Sequence, residues 1–179
     1  MIREAIDPFA NASLIMQALS KGILLTSQAG QRVNTMTIAW GFLGVDWKLP
    51  IFVTLVRTGR FTRILLDQNP EFTVNVPIGA YDSRILGVAG TKSGRDLDKI
   101  SALGLHLVAG ETVSVPAIME FPLTLECKVI YKKQQDPEAI PLDLRNLWHP
   151  QEVDSSKAGA NRDYHIAYYG AISAAYILR

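Results

Sequence analysis

The sequence has little with which to build a metal centre, a disulfide or a nucleophilic active site. It contains one cysteine, Cys127, and three histidines whose spacing is not typical of metal ligands, His106, His149 and His165. A single cysteine excludes an internal disulfide, which fits a reducing cytoplasm. There is no Gly-x-Ser-x-Gly nucleophile elbow, and Cys127 lies within a predicted strand, where a core position is favoured over a Cys–His nucleophile pair. We therefore predict no metal site and assign no catalytic side chain.

The chain also lacks a strong net charge and a long apolar run. Lys and Arg number 18 and Asp and Glu 17, for a formal net charge of +1, which is not the basic field of a nucleic-acid-binding protein. No apolar run approaches the roughly 20 residues of a membrane-spanning helix, and residues 1–8 do not resemble a signal peptide. The 48% hydrophobic and 20% charged composition is that of an ordinary globular protein. We expect one cytoplasmic domain over residues 1–179, without nucleic-acid or membrane partners.

Positive charge is concentrated in residues 56–63, which we call the arginine turn. An apolar run over residues 51–56 predicts a strand before it, and residues 64–66 suit a helix after it. Free N–H groups at a helix N-terminus attract anions, and three arginines and two threonines lie at the same place. This pattern is typical of a phosphate site. The segment alone is equally compatible with a solvated turn in which Arg63 pairs with Asp67.

A second basic segment is the glycine-rich loop at residues 90–95, Gly-Thr-Lys-Ser-Gly-Arg. It does not match a P-loop, because Thr91 occupies the position directly before Lys92 that the motif reserves for glycine. It is either an anion or ligand contact, or a turn between two helices with surface charges. No Gly-x-Gly-x-x-Gly segment follows a strand, which argues against a Rossmann dinucleotide site.

A predicted hairpin over residues 23–27 and 33–42 has unusual polarity in its second strand. Asn34, Thr35 and Thr37 place an amide and two hydroxyls in an otherwise apolar segment. These groups would suit a flat ligand with polar edges, with Met36 or Trp40 as a packing surface. The alternative is an edge strand in which threonine reflects β-propensity.

The remaining pattern consists of several strands with short helices between them. Strands are predicted over residues 71–76, 105–108, 123–131 and 165–178, helices over residues 83–89 and from Asp96, and a loop over residues 44–50. In residues 123–131, alternation predicts one buried and one wetter face. Residues 132–163 are polar and long for a loop, and we call them the excursion. This order favours an antiparallel barrel with inserted helices.

Taken in order, these segments resemble the flavin reductase-like, FMN-binding split-barrel family, in particular its flavoredoxin branch. The resemblance rests on residues 33–37 with Trp40, on residues 57–62, on residues 72–77, on the Ser-Gly-Arg-Asp-x-Asp-Lys segment ending at Lys99, and on His165 with Gly170 in the last strand. It extends from about Leu19 to the C-terminus, and the excursion is its least similar part.

The resemblance implies a mainly β fold, a six-stranded antiparallel Greek-key split barrel with α-helices, and a homodimer with FMN near its interface. It implies a cofactor site in which residues 34–40 contact the flavin ring and the ribityl chain, and the arginine turn contacts the phosphate. Lys92, Ser93 and His165 would lie close to the cofactor. The predicted cofactor-binding residues are Asn34, Thr35, Met36, Thr37, Trp40, Arg57, Arg60, Thr62, Lys92, Ser93 and His165. The implied activity is an oxidoreductase that carries electrons from NAD(P)H through FMN to a flavin or another acceptor. Two alternatives remain: an electron carrier that serves a protein partner, and a module that binds another phosphate-bearing ligand.

Overall fold

The structure is a computed structural model and describes residues 2–179. Strands dominate it, and short helices connect them. The strands are β1 (Arg3–Ala5), β2 (Ile23–Ala29), β3 (Arg32–Ile38), β4 (Gly41–Asp46), β5 (Leu49–Arg57), β6 (Glu71–Val76), β7 (Leu107–Val108), β8 (Ala117–Ile118), β9 (Leu123–Gln134) and β10 (His165–Leu178). The helices are α1 (Ala12–Lys21), α2 (Phe61–Gln68), α3 (Ser83–Thr91), α4 (Lys99–Leu103) and α5 (Leu142–Trp148), with a 3₁₀ turn at Pro137–Ala139.

One antiparallel sheet of eight strands forms the body of the molecule. Its order is β3-β2-β6-β9-β10-β5-β4, with β1 paired to the far end of β10, and β7 and β8 form a separate two-stranded ribbon. Strands that are neighbours in the sheet are mostly distant in the chain, so long connections carry the helices across its ends. The predicted fold class, a mainly β antiparallel split barrel with helices, is confirmed.

Two local predictions around the first hairpins need correction. The predicted strand over residues 33–42 is two strands, because the chain leaves β3 after Ile38 and resumes pairing only at Gly41. Residues 44–50, predicted as a loop, are instead a tight hairpin between β4 and β5. Trp47 and Lys48 at its tip have positive φ angles of 49° and 58°, the left-handed conformation of a two-residue turn.

The main core lies within the sheet and beneath α1. Ile15 and Leu19 of α1 pack on side chains from the central strands, including Phe72, Leu125 and Tyr168, which are all fully or almost fully buried. Burial of this kind provides the main stabilisation of the fold.

The prediction that one face of β9 is solvent-exposed is wrong for the first half of the strand, because Thr124 and Glu126 have no exposed surface. The Glu126 carboxylate accepts hydrogen bonds from Glu111 N, Thr112 N and the Tyr176 hydroxyl, so the loop before β8 covers this face.

The helix after the glycine-rich loop begins later than expected. Asp98, and not Asp96, caps α4 by accepting from Ile100 N and Ser101 N, and Gly104 ends the helix in the left-handed conformation. The excursion contains the end of β9, the 3₁₀ turn and α5, and then returns to β10 through residues 149–164. Within residues 2–179, no helix combines the length and the apolar character needed to cross a membrane.

Candidate functional site

Two adjoining cavities open beside the arginine turn. The first, of about 450 Å³, lies between the start of α2, the loop after α3, and Ser155 and Ser156 of the excursion. The second, of about 240 Å³, lies between the end of β3, Trp40, Trp148 and His165. Met36, Arg60 and Gly90 line both cavities. The larger cavity is within the roughly 300–1,000 Å³ of small-molecule sites, and the smaller one extends it.

The structure brings together ten of the eleven residues predicted from the sequence. The first cavity is lined by Asn34, Met36, Arg60, Thr62, Lys92 and Ser93, and the second by Met36, Thr37, Trp40, Arg57, Arg60 and His165. The exception is Thr35, whose side chain points to the opposite face of β3. Its hydroxyl is fully buried and accepts from the Thr26 hydroxyl, so it reaches neither cavity. Asn34 and Met36 flank it on the cavity side, as the alternation of a strand requires, whereas Thr37, near the end of β3, still reaches the second cavity.

Arg60 provides a free positive charge at the junction of the two cavities. It is the N-cap residue of α2, no side chain caps this helix, and no acceptor lies within hydrogen-bonding distance of its guanidinium among residues 2–179. Burial lowers the pKa of Arg60, and the charge of Asp163 opposes that shift. An unpaired guanidinium at an uncapped helix N-terminus is a strong attractor for an anion.

Arg57, in contrast, has its guanidinium occupied by the excursion. Its Nη2 donates to Trp148 O at 2.9 Å, and its Nη1 donates to Asn161 O at 3.1 Å, to Asn161 Oδ1 at 3.2 Å and to Asp163 O. His149 Nδ1 donates to the same Asp163 carbonyl at 2.8 Å, so its 3.2 Å approach to Arg57 is a contact between two donors. The arginine turn therefore has two functions: Arg57 holds the excursion, and Arg60 faces the cavities. Arg63 pairs with Asp67 at 2.9 Å, as predicted for the arginine left out of the site.

The wall between β3 and the glycine-rich loop is closely packed. Asn34 Nδ2 donates to Thr62 Oγ1 at 2.9 Å, and both residues are almost fully buried. A Cβ atom at Gly94 would lie 2.1 Å from Asn34 Oδ1 and 2.8 Å from a ring carbon of Phe61. The glycine therefore lets the loop backbone approach β3 and form one side of the first cavity.

His165 contributes a neutral imidazole to the second cavity. Burial, followed by the charges of Arg57, His149 and Arg60, lowers its pKa to about 3. Its ring centroid lies 4.7 Å from that of Trp40, and its Nδ1 is buried without a partner among residues 2–179. The ring is thus uncharged near neutral pH and presents an apolar, polarisable surface beside Trp40.

The sequence did not identify two important side chains of the site. Trp148 of the excursion packs edge-on against Trp40 with centroids 5.0 Å apart and lines the second cavity. Lys99 lines the first cavity although it is only 4% exposed. Lys99 ends one of the segments on which the family resemblance rests, and this was the only sequence signal that could have identified it as a site residue. No periodicity in the excursion indicates that Trp148 returns to β5.

Comparisons with known proteins agree with the geometry. The family model described as flavin reductase like domain matches residues 16–165. Uncharacterized protein YddH of Escherichia coli (strain K12) is 31% identical over 111 residues, which are 60% of this chain and 58% of that protein. An uncharacterized protein of Archaeoglobus fulgidus is 29% identical over 129 residues, 72% of this chain and 71% of that one.

Two solved structures share the fold. The flavoredoxin of Desulfovibrio vulgaris (Miyazaki F) has a TM-score of 0.64 at 24% identity, and 88% of this chain and 69% of that chain are covered. The FMN-binding domain of a flavin reductases-like enzyme from Shewanella baltica OS155 has a TM-score of 0.68 at 17% identity, with 98% and 77% covered.

Proposed function

The chain belongs to the flavin reductase-like domain family, and from this premise we propose that it is an FMN-dependent oxidoreductase. In this proposal it takes electrons from NAD(P)H through bound FMN and delivers them to a flavin or another acceptor. The observation that carries the proposal is Arg60, an unpaired guanidinium at an uncapped helix N-terminus and at the junction of two cavities.

The donor set fits the two ends of FMN. The phosphate group would lie in the first cavity, where Arg60, the N–H groups at the start of α2, the Thr62 hydroxyl and Lys92 offer donors and positive charge. The ring would lie toward the second cavity, where Met36, Trp40 and His165 provide a flat, largely apolar surface. The ribityl chain would cross the shared part of the two cavities.

The redox chemistry in this proposal is supplied by the flavin. The protein binds the phosphate group, orients the ring and restricts access of water. Since His165 is uncharged near neutral pH, it does not add a positive charge to those of Arg57 and Arg60 at the second cavity. Trp148 lines the second cavity from the excursion side, so the excursion would help to determine which face of the ring is exposed.

The first test is the absorbance spectrum of the purified protein, followed by anaerobic addition of NADH and then NADPH. We expect a yellow protein that releases FMN, bleaches with one nucleotide, and oxidises that nucleotide in steady state when flavin is added. A colourless protein that does not take up FMN would contradict the proposal and would favour a module for another phosphate-bearing ligand.

A double variant tests the phosphate end specifically. Arg60→Ala with Thr62→Ala should weaken FMN binding much more than riboflavin binding, because riboflavin lacks the phosphate group. Arg63→Ala is the matched control, since its guanidinium is paired with Asp67 outside the cavities. An equal loss for both flavins would show that the variant disturbs the fold and not a phosphate contact.

The second candidate is an electron carrier that exchanges electrons with a protein partner. The position of Trp148 favours it, because an indole at the wall of the second cavity narrows the approach of a dinucleotide to the ring. A protein that retains FMN but is reduced only when a separate reductase is added would support the carrier. Rapid reduction by NAD(P)H alone would exclude it.

We also propose the homodimer that the family resemblance implies, with the cofactor near its interface. The proposal is supported by an exposed apolar surface on and beside the β4–β5 hairpin, where Val45 is 68% exposed and Trp47 59%. Tyr131 lies next to this surface, with its ring centroid 6.2 Å from that of Trp47. Light scattering during size-exclusion chromatography, with Trp47→Ser as the variant, measures the oligomeric state.

A further inference from the structure

Lys99 is a buried cation without a counter-ion. It is the first residue of α4, it is 4% exposed, and it lines the first cavity. Its Nζ donates to Thr35 O at 2.8 Å and to Ala89 O at 3.0 Å, which links β3 to α3. An ammonium group has three donors, so one remains after these two bonds. Among residues 2–179, no carboxylate lies within 4 Å of this Nζ.

The groups around Lys99 make its charge costly in the absence of a ligand. Lysine is almost never fully buried unless it is paired. Arg60 faces it from the arginine turn, and Lys92, Arg95 and Asp96 line the same cavity from the loop. Asp98, on its own helix, is engaged in capping Ser101. The cavity therefore has an excess of positive charge, which an anionic ligand would neutralise.

We propose that Lys99 is a further anion-binding residue of the first cavity, which fixes the cavity wall through two carbonyl groups and supplies a buried positive charge to the bound phosphate-bearing cofactor. This inference rests on the proposed function, and it names a residue to which neither the family match nor the arginine turn assigns a role. Lys99 contributes only while it is protonated, so cofactor binding and protonation of this side chain favour each other.

The linkage has a definite direction. Burial, and then the charge of Arg60, lower the pKa of Lys99 to about 8 in the ligand-free protein. A bound dianion raises that pKa, so affinity is greatest below pH 8 and falls as the pH rises above it. If the anion binds only the protonated form, the dissociation constant increases about tenfold between pH 7 and pH 9. A phosphate monoester stays dianionic over this range because its second pKa is about 6.

The experiment measures FMN affinity at pH 7 and pH 9 by fluorescence quenching, for the full chain and three variants. Lys99→Met should bind more weakly at pH 7 and lose the pH dependence. Lys99→Arg keeps a charge that does not titrate in this range, so it should bind almost equally at both pH values. Lys92→Met removes an exposed lysine of the same cavity and should keep the tenfold change.

The outcomes separate this inference from the proposed function. A parent protein that binds no flavin at either pH contradicts the proposed function itself. A parent protein that binds FMN equally at pH 7 and pH 9 overturns the role of Lys99, even if no variant folds. Lys99→Met with parental affinity, or with the parental pH dependence, overturns it as well. Circular dichroism of each variant identifies those that fold.

Discussion

Replacement of Arg57 by Met should release the excursion while leaving the sheet intact. The substitution removes the only described donors to Trp148 O and Asn161 O, whereas Asp163 O still accepts from His149 and Asn161 Oδ1 from Asp163 N. Leaving a buried acceptor unsatisfied costs about 1–3 kcal/mol. Asn161 O is buried and Trp148 O is only partly buried, so the first carbonyl alone should lower the free energy of local opening by about 1–3 kcal/mol. The sheet pairing of β5 with β10 does not involve the guanidinium and should persist.

Hydrogen exchange of backbone amides, read by mass spectrometry, measures this opening directly. Peptides from residues 149–163 should exchange at least about 5-fold faster in Arg57→Met, while peptides from β6 and β9 should change little. Arg63→Met is the control, because it removes no contact with the excursion. It removes a partly exposed ion pair with Asp67, worth at most about 1 kcal/mol, and a hydrogen bond from Nε to Thr58 O at 3.1 Å. Unchanged exchange in the excursion, combined with a selective loss of FMN over riboflavin affinity, would refute this role and restore Arg57 as a phosphate contact.

Three other substitutions test the packing and backbone arguments by urea denaturation. Glu126→Gln should cost roughly 1–3 kcal/mol at pH 7, because an amide cannot accept from both N–H groups of the 111–112 loop. Burial raises the pKa of Glu126, but these hydrogen bonds outweigh it and leave the pKa low. The parent therefore loses this stability as the pH falls below about 4.5, and its difference from the variant should shrink there. Gly170→Ala should cost about 1–3 kcal/mol, since the new Cβ would lie 2.4 Å from a ring carbon of Phe72, and equal stability would mean that the strand can shift. Lys48→Gly should stabilise by up to about 1 kcal/mol, because its φ of 58° strains any side chain, and a loss of stability would refute the strain.

Local chemistry in the sequence was sufficient for several elements. β6 has the predicted bounds, Glu71–Val76, because an apolar strand is enclosed between two prolines. The arginine turn joins a strand to a helix as predicted, and Gly104 ends α4 near the expected place. In each case, neighbouring residues determine the conformation, so the sequence pattern contains the information.

The misassignments have a common cause in contacts between distant residues. The tip at Trp47 and Lys48 was predicted as a loop because it has none of the glycine or asparagine residues that mark such turns. The polar side chains of β9 were predicted to face water, but Glu126 is buried because a loop 15 residues earlier donates to its carboxylate. The alternation of residues in a strand cannot show whether a carboxylate faces water or a polar group of the protein.

The sequence by itself determined the family, the antiparallel class of the fold and most of the residues that line the two cavities. It could do so because a strand alternates and a helix N-terminus binds anions irrespective of the rest of the chain. Only the tertiary structure decided how the cations divide their roles. Arg57 is occupied by carbonyl groups about 100 residues away, Arg60 has no partner within the described residues 2–179, and Lys99 is buried against β3 and α3. Charged residues can be read from a sequence. Whether a charge has a partner is decided only when the chain is folded.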